Sequence, residues 1–247
     1  MLDTKAGAQK AAQDTQDLIY AVNEFGVYCI PESYQHRTVP KMLREGRVYE
    51  RRTLGFIARM CGSGDVISGG AFVGDFLPAI SAALGARAKL HTFEPAPLTY
   101  DACARTVALN KLKNVALHQV AVGAEAARLP LQIGEPSGDV AAAKAKILDG
   151  AVEGETVEVE VVPLDDLVAK TRKVSVLHLD IEGHEAPALT GAARLIGDNR
   201  PLIVLEAEKP RDARAFLEQL NAEHPKAKYG LAGRMERNAM FLPDIGA

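Results

Sequence analysis

Ionisable residues follow one apolar segment of the chain directly. The run 174–179 (Val-Ser-Val-Leu-His-Leu) passes into Asp180, Glu182 and His184 within five residues. Carboxylates and an imidazole at this spacing are groups that serve as a general base or as ligands of a metal ion. Another apolar run ends at Glu206, which would join Asp180 and Glu182 if the two runs are neighbouring strands. Like charges so close together need a proton, a cation or solvent.

A glycine-rich turn stands farther back in the sequence. The segment 65–68 (Asp-Val-Ile-Ser) leads into Gly69, Gly70 and Gly74, a pattern typical of a strand that turns tightly into a helix. Such a turn brings backbone N–H groups and a helix N-terminus close to a ligand. Glu94 ends the next apolar run, and an ionised carboxylate there can accept hydrogen bonds from both hydroxyls of a ribose. The pair predicts a site for an adenosine-type ligand without selecting one cofactor.

Each of these features also has a structural explanation. The glycines could serve only to let a strand pack tightly on a helix. His184, Glu185 and Glu206 could cap a helix or lie in solvent. We interpret His178, which alternates within its strand, as a structural histidine and place it outside the predicted site.

A mostly parallel sheet is required to bring these residues together. Short apolar runs alternate with helical patterns from residue 64 onward, which is typical of βα units, and the continuous runs indicate strands covered on both faces. Helical stripes lie between them, for example at residues 76–84 and 213–220. The predicted strands are 65–68, 89–93, 115–120, 174–179, 202–205, 228–232 and 238–242.

The remaining segments define the predicted domain organisation. Residues 1–60 are interpreted as a leader, to about residue 18, and a helical cap whose last helix contains Leu54 and Ile57; residues 61–247 form the main domain. Alternating apolar residues at 129–133 and 157–161 predict two strands that could pair antiparallel. The intervening segment 134–155 is expected to be a mobile lid or disordered.

Composition excludes several classes of function. The 247 residues are 47% hydrophobic and 25% charged, with a formal net charge of −3, so we expect neither nucleic acid nor a membrane surface as a partner. No apolar stretch is long enough to span a bilayer and no signal peptide is recognisable, so a cytoplasmic location is expected. The three cysteines are widely spaced and are predicted to be buried free thiols. The oligomeric state stays open, a homo-oligomer included.

Taken in order, these segments resemble the FkbM family of S-adenosylmethionine-dependent methyltransferases. The resemblance runs from about Tyr49 to Leu242. It rests on the common order of several modest motifs. They are the turn 68–76, Phe93-Glu94-Pro95, Leu109-Asn110, Ala121-Val122-Gly123, the segment 163–167 (Pro-Leu-Asp-Asp-Leu), the segment 179–185 (Leu-Asp-Ile-Glu-Gly-His-Glu) and the segment 200–206 (Arg-Pro-Leu-Ile-Val-Leu-Glu).

The resemblance implies the class I methyltransferase fold, a Rossmann-like α/β fold. Its doubly wound sheet has seven strands, mostly parallel, with one antiparallel strand at the C-terminal edge. By the same resemblance, Gly70 and Gly74, with Gly69 between strand and turn, would lie against the methionine part of the cofactor, and Glu94 would hold the ribose. Val120 and Ala121 would lie against the adenine, and Asp180 and Glu182 near the sulfonium and the acceptor.

The turn departs from the usual family pattern, Asp-Val-Gly-Ala-Asn-x-Gly, at two positions. Ser68 stands where Asp is usual, and Phe72 where Asn is usual. A serine can hydrogen-bond the amino end of the cofactor but supplies no negative charge. We expect Asp75, or Glu50 from the cap, to supply that charge instead.

The expected reaction is O-methylation of a hydroxyl on a sugar or another small-molecule or natural-product acceptor, as the resemblance implies. Asp180, Glu182 or His184 would assist deprotonation, alone or through a divalent cation held by Asp180, Glu182 and Glu206. The Asp/Asn-Pro-Pro-aromatic motif associated with methylation of base amines is absent. Two alternatives remain open: a noncatalytic S-adenosylmethionine-binding module, and a nucleotide-dependent oxidoreductase using the same turn and Glu94.

Overall fold

The computed structural model describes residues 17–133 and 155–244. Its centre is a seven-stranded sheet, and all seven predicted strands of the main domain are present in it. The strands in chain order are β3 (Asp65–Gly69), β4 (Leu90–Phe93), β5 (Val115–His118), β9 (Val174–Leu179), β10 (Leu202–Glu206), β11 (Gly230–Met235) and β12 (Asn238–Leu242).

The order of strands across this sheet is β11-β12-β10-β9-β3-β4-β5. Strands β10, β9, β3, β4 and β5 run parallel, and β12 pairs antiparallel with both β10 and β11. The predicted mixed α/β sheet is therefore confirmed. Its single reversed strand is the last in the chain and lies one position inside the edge strand, β11.

Eight α-helices accompany the strands in the described residues, beside a short 3-10 helix at Glu32–Tyr34. They are α1 (Thr38–Arg44), α2 (Arg51–Met60), α3 (Leu77–Ala83), α4 (Pro97–Leu109), α5 (Leu164–Leu167), α6 (Glu185–Thr190), α7 (Ala193–Asn199) and α8 (Pro210–Glu223).

Alternation of side chains along the central strands divides the core into two layers. On one face, Val66 and Val176 pack with residues of α2 and α3. On the other face, Ile67 and Leu177 pack with residues of α6, α7 and α8. Because both faces are covered, apolar residues occupy consecutive positions in these strands, as at 66–67 and 176–177, which is why the sequence indicated them so clearly.

The predicted cap contains helices α1 and α2, but its first part is a β-hairpin that we did not predict. Strands β1 (Leu18–Val22) and β2 (Val27–Pro31) pair antiparallel. The hairpin buries Tyr28, Cys29 and Ile30, and the Thr106 hydroxyl of α4 accepts a hydrogen bond from the Cys29 N–H at 3.0 Å. Strand β2 has only five residues, and the face that it buries is determined by α4, about eighty positions later in the chain. Such a strand gives only a weak periodic signal in the sequence.

A second, three-stranded sheet flanks the main one. It has the order β6-β8-β7, from β6 (Ala121–Val122), β8 (Thr156–Val162) and β7 (Ala127–Gln132). The antiparallel pairing of the two alternating segments is confirmed by the register Leu129 to Val159. The segment 134–154, predicted to be a lid or disordered, lies outside the described residues, as do residues 1–16 of the predicted leader.

Three further expectations concern the whole chain. Cys29, Cys61 and Cys103 are free and buried, as predicted. In the part of the chain that the structure describes, no helix has both the length and the apolar character needed to cross a membrane. The domain boundary after residue 60 stays a prediction, and α2, which ends at that residue, packs in the same core layer as β3 and α3.

Candidate active site

The carboxyl ends of β3, β4, β9 and β10 open onto a cavity of about 270 Å³, which residues of the cap also line. Ligands of open α/β sheets bind at this edge. Ten of the predicted site residues line the cavity: Ser68, Gly70, Phe72, Asp75, Glu94, Ala121, Asp180, Glu182, His184 and Glu206. Four others, Glu50, Gly69, Gly74 and Val120, do not contribute to its wall.

The glycine turn is shaped by close packing against the neighbouring strand. Gly70 has a φ of +79°, and a Cβ atom placed there would lie 1.9 Å from the carbonyl oxygen of Asp180. Gly74 has a φ of +84°, with side-chain atoms of Thr106 and Cys103 within 3.3 Å of such an atom. Phe72 adopts a positive φ of 47° although it is not a glycine. Only glycine fits at position 70, so the turn and the Asp180 backbone form one rigid unit.

Glu94 connects the end of β4 to this turn. Its Oε2 accepts a hydrogen bond from the Phe72 N–H at 2.8 Å, and its Oε1 accepts from the Ala96 N–H and the Thr99 hydroxyl. Burial raises the pKa of the Glu94 carboxyl to about 7. Among the described residues Oε2 accepts only that one bond, so it keeps a lone pair for a hydroxyl group of a ligand.

A carboxylate pair forms where β9 and β10 end. Burial and the neighbouring Glu206 and Glu182 raise the pKa of Asp180 well above its ordinary value, and Asp180 hydrogen-bonds Glu206. Arg237 balances the charge, because its guanidinium lies 2.6 Å from Glu206 Oε1 and also pairs with Glu208. The raised pKa favours the protonated form of Asp180, which can donate this hydrogen bond to Glu206.

The loop after β9 is held in place by a buried acid. Glu185, which is 4% exposed, accepts hydrogen bonds from the Ile181 N–H at 3.0 Å and the Gly183 N–H at 3.3 Å. Between them Glu182 takes a φ of 60°. His184 packs beside Gly123, where a Cβ atom would lie 3.2 Å from its Nε2. Glu185 thus fixes the backbone that presents Glu182 and His184 to the cavity.

The two acids expected to supply charge to the cofactor occupy different places. Asp75 lines the cavity, and burial raises its pKa to about 7. Glu50 is buried behind the wall, at the start of α2, and accepts a hydrogen bond from Asn238. Burial raises the Glu50 pKa as well. Asp75 is therefore the one of the two that a ligand in the cavity can touch directly.

Several residues of the cavity wall were missed by the sequence analysis. Tyr34, Arg37 and Tyr49 come from the cap, and Arg237 from the turn between β11 and β12. The Arg37 guanidinium lies 3.9 Å from the centre of the Tyr34 ring, a cation–π contact. None of these residues stands in a motif, because their positions depend on long-range packing of the cap and the C-terminal strands.

His178 also lines the cavity, although the sequence analysis placed it outside the site. Its Nδ1 lies 3.0 Å from the Ser68 hydroxyl, and its ring stacks on Phe76 with 5.4 Å between ring centres. Ser68, which we expected to face the cofactor, thus has a protein partner as well. The alternation of β9 puts His178 and Asp180 on the same face of the sheet, which was the available signal.

The expected divalent cation gains no support from the geometry. In residues 17–133 and 155–244, no group of three or more His, Cys, Asp or Glu side chains is arranged to hold a metal ion. Asp180 hydrogen-bonds Glu206, and Arg237 pairs with Glu206, so the protein itself supplies a counter-charge at this pair of carboxyl groups.

Comparison with solved structures supports the fold. A methyltransferase FkbM from Methylobacillus flagellatus KT superposes with a TM-score of 0.52 at 18% identity, over 73% of this chain and 43% of that one. TYW2 from M. jannaschii in complex with AdoMet superposes with a TM-score of 0.53 at 10% identity, over 93% and 88% of the two chains. Trm5b from Pyrococcus abyssi gives 0.51 at 12% identity, over 93% and 55%. The chain thus spans less than half of the M. flagellatus structure.

Comparison of the sequence with protein families identifies the family as well as the fold. No curated protein sequence matches the chain significantly. A family profile described as "Methyltransferase FkbM domain" matches residues 68–229, from the glycine turn to the approach of β11. This match covers more than half of the chain and contains the turn, Glu94 and the loop after β9. The protein therefore belongs to the FkbM methyltransferase family.

Proposed function

We propose that the protein is an S-adenosylmethionine-dependent methyltransferase that methylates a hydroxyl group of a sugar or another small-molecule acceptor. The observation that carries the proposal is the placement of Glu94 and Asp180 on one cavity, at the ends of strands on either side of β3. Membership of the FkbM family supports methyl transfer. The AdoMet complex of TYW2, which shares the fold, supports the choice of cofactor.

The residues at the cavity fit this cofactor. The Gly70 position leaves no room for a side chain and exposes backbone at the point where the methionyl part would lie. Glu94 keeps an acceptor position for the ribose hydroxyls, and Ala121 with Pro95 offers small apolar surface for the adenine. The bound cofactor supplies an electrophilic methyl group on a sulfonium centre.

The protein's own contribution is alignment, exclusion of water and a base. Methyl transfer to oxygen is an in-line substitution, so the acceptor hydroxyl must lie opposite the sulfur and lose its proton. In the molecules in which Asp180 is ionised, its carboxylate can accept the proton of that hydroxyl. Because burial and the neighbouring carboxylates raise the pKa of Asp180, its ionised form is a stronger base than an ordinary carboxylate.

The acceptor is proposed to be small and polar. The cap and the C-terminal turn supply Tyr34, Arg37, Tyr49 and Arg237, groups that form hydrogen bonds with hydroxyls. The cavity of about 270 Å³ has to hold the cofactor as well, so the space left for the acceptor is small. The net charge of −3 argues against nucleic acid as the partner.

The test has two steps. Calorimetric titration with S-adenosylhomocysteine, with NADH in parallel, tests the cofactor, and we expect micromolar binding of S-adenosylhomocysteine alone. An acceptor panel then compares sugars with amino sugars that differ only by amine for hydroxyl, with release of S-adenosylhomocysteine as the readout. Transfer to the hydroxyl compounds is expected; binding of NADH alone would favour an oxidoreductase, and cofactor binding without any transfer would favour a noncatalytic module.

A further inference from the structure

One polar atom inside the cavity region has no partner. His178 is 4% exposed, and its Nε2 is buried without a hydrogen-bond partner among the residues that the structure describes. Its other ring nitrogen is engaged by Ser68, and the ring is stacked on Phe76. Buried polar atoms are almost always hydrogen-bonded, since an unpaired one has lost its water partners without gaining a protein partner. An orphaned nitrogen in the wall of a ligand cavity indicates a partner that arrives with the ligand.

The imidazole is neutral when it meets that partner. Burial lowers the pKa of His178 to about 4, so at neutral pH the ring carries one proton on one of its two nitrogens. The Ser68 hydroxyl can donate to Nδ1 or accept from it, which leaves Nε2 as a donor or as an acceptor respectively. The Ser68–His178 pair is therefore a neutral hydrogen-bonding unit that can meet either charge of an amino-acid group.

The order of the strands indicates which part of the ligand reaches His178. Glu94, at the end of β4, lies on one side of β3, and His178, on β9, lies on the other. A cofactor whose ribose is held at Glu94 must cross the glycine turn after β3 to reach β9. Its sulfur and its amino-acid end are then the parts that extend toward His178.

We propose that Nε2 of His178, oriented by Ser68, hydrogen-bonds the amino-acid end of S-adenosylmethionine. This inference rests on the proposed function, since it requires that cofactor in the cavity. It also gives a role to Ser68, which stands where the family turn usually has Asp. Here the serine pairs with His178 across two adjacent strands. The register aligns these two residues directly, as Cα partners.

Two ligands distinguish this role from a purely structural one. S-Adenosylhomocysteine carries the amino-acid end, whereas 5′-methylthioadenosine has the same adenosine and sulfur without it. His178→Phe keeps an aromatic ring against Phe76 and removes Nε2, and combining it with Ser68→Ala avoids leaving the hydroxyl unpaired. We expect calorimetry to show a loss of at least about tenfold for S-adenosylhomocysteine in both variants. Affinity for 5′-methylthioadenosine should stay within about twofold of that of the unmodified protein.

Equal losses for both ligands, or no loss for either, would overturn the proposal. If the variants do not fold, ¹⁵N NMR of the histidine side chains in the unmodified protein tests the proposal instead. The Nε2 resonance of His178 is expected to shift with S-adenosylhomocysteine and to stay in place with 5′-methylthioadenosine; the same response to both ligands contradicts the assignment. Failure of the unmodified protein to bind either compound would instead refute the proposed function, and this inference with it.

Discussion

The side chain of Asn238, at the start of β12, donates a hydrogen bond of 2.6 Å to Glu50, which precedes helix α2 and lies 188 positions earlier in the chain. Both residues are buried. The bond joins the last strand of the sheet to the cap at a carboxyl group whose pKa is raised by burial. Because Glu50 acts electrostatically on both Asp75 and Asp180, this contact also affects the charge balance of the cavity.

Replacement of Asn238 by Ala should destabilise the protein by roughly 1–3 kcal/mol, because a buried carboxylate loses its donor. The loss should depend on pH. Glu50 has a folded-state pKa above its unfolded value of 4.5, so its ionisation costs stability as pH rises through the folded pKa. Asn238 favours the ionised form, so the variant should lose more at pH 8 than at pH 5. Urea unfolding of both proteins at pH 5 and pH 8 measures the loss of stability. An equal loss at the two pH values would contradict the prediction.

Replacement of Glu94 by Gln should weaken binding of S-adenosylhomocysteine by about 10- to 100-fold at pH 8, since hydrogen bonds to a charged acceptor contribute about 1.5–3 kcal/mol. In the unmodified protein the affinity should fall as pH drops from 8 to 6, because a carboxyl with a pKa of about 7 becomes protonated in that range. The variant should lose the part of this dependence that Glu94 contributes, and any part that remains belongs to other groups such as Asp75, whose pKa is also about 7.

Calorimetry across that pH range measures both effects of the Glu94 substitution. Glu160→Gln, an exposed change on β8, is the matched control and should bind like the unmodified protein. A Glu94→Gln protein with undiminished affinity at pH 8 would remove Glu94 from the proposed ribose site.

Substitution of two glycines, Gly70 and Gly183, can distinguish the effect of a steric clash from the effect of backbone strain. Gly70 and Gly183 both have positive φ, but a Cβ atom at 70 would lie 1.9 Å from backbone, whereas one at 183 meets nothing within 4 Å. Gly183→Ala should cost only the strain of the left-handed conformation, about 1–2 kcal/mol. Gly70→Ala should cost clearly more, by roughly 1–3 kcal/mol, and should abolish cofactor binding. Urea unfolding measures the loss of stability in each variant, and calorimetry measures cofactor binding. Similar losses in the two variants would contradict the prediction.

Replacement of Asp180 by Asn should lower turnover on the order of 100-fold while leaving the affinity for S-adenosylhomocysteine nearly unchanged, because it removes a base and keeps the shape. The measurement is release of S-adenosylhomocysteine with an acceptor identified in the panel, alongside calorimetry. Unchanged turnover would exclude Asp180 as the base, and a parallel loss of cofactor affinity would assign it to binding instead.

The sequence predicted those parts of the fold that local pattern determines. The buried strands β3, β9 and β10 contain consecutive apolar residues, and the alternation around Leu129 and Val159 matched a half-buried antiparallel pair. The hairpin of β1 and β2 was missed because its burial is decided by Thr106 and other residues of α4. Local periodicity contains no information about such a distant partner.

The residues of the candidate site likewise fall into those that local sequence predicts and those that depend on long-range packing. Glu94 and Asp180 follow strands directly, so the topology of a parallel sheet brings them together, as predicted. Arg37 and Arg237 reach the cavity only through the packing of the cap and of the β11–β12 turn, and no motif marks them. His178 was placed outside the site because a histidine within a strand is usually structural, and this one is distinguished by an unpaired Nε2 together with its position in the cavity wall.

The turn between β11 and β12 also sets an order of events during synthesis. Glu236 accepts hydrogen bonds from the Thr53 N–H at 2.9 Å and the Thr53 hydroxyl at 2.6 Å, and so caps the N-terminus of α2. Thr53 precedes Glu236 by 183 residues. At roughly 5–20 residues per second, the ribosome takes on the order of 10–40 s to cover that distance. Through this interval α2 lacks its cap on the nascent chain. The wall of the cavity that Tyr49 and Arg237 share is therefore completed only after strands β3 to β11 have been synthesised.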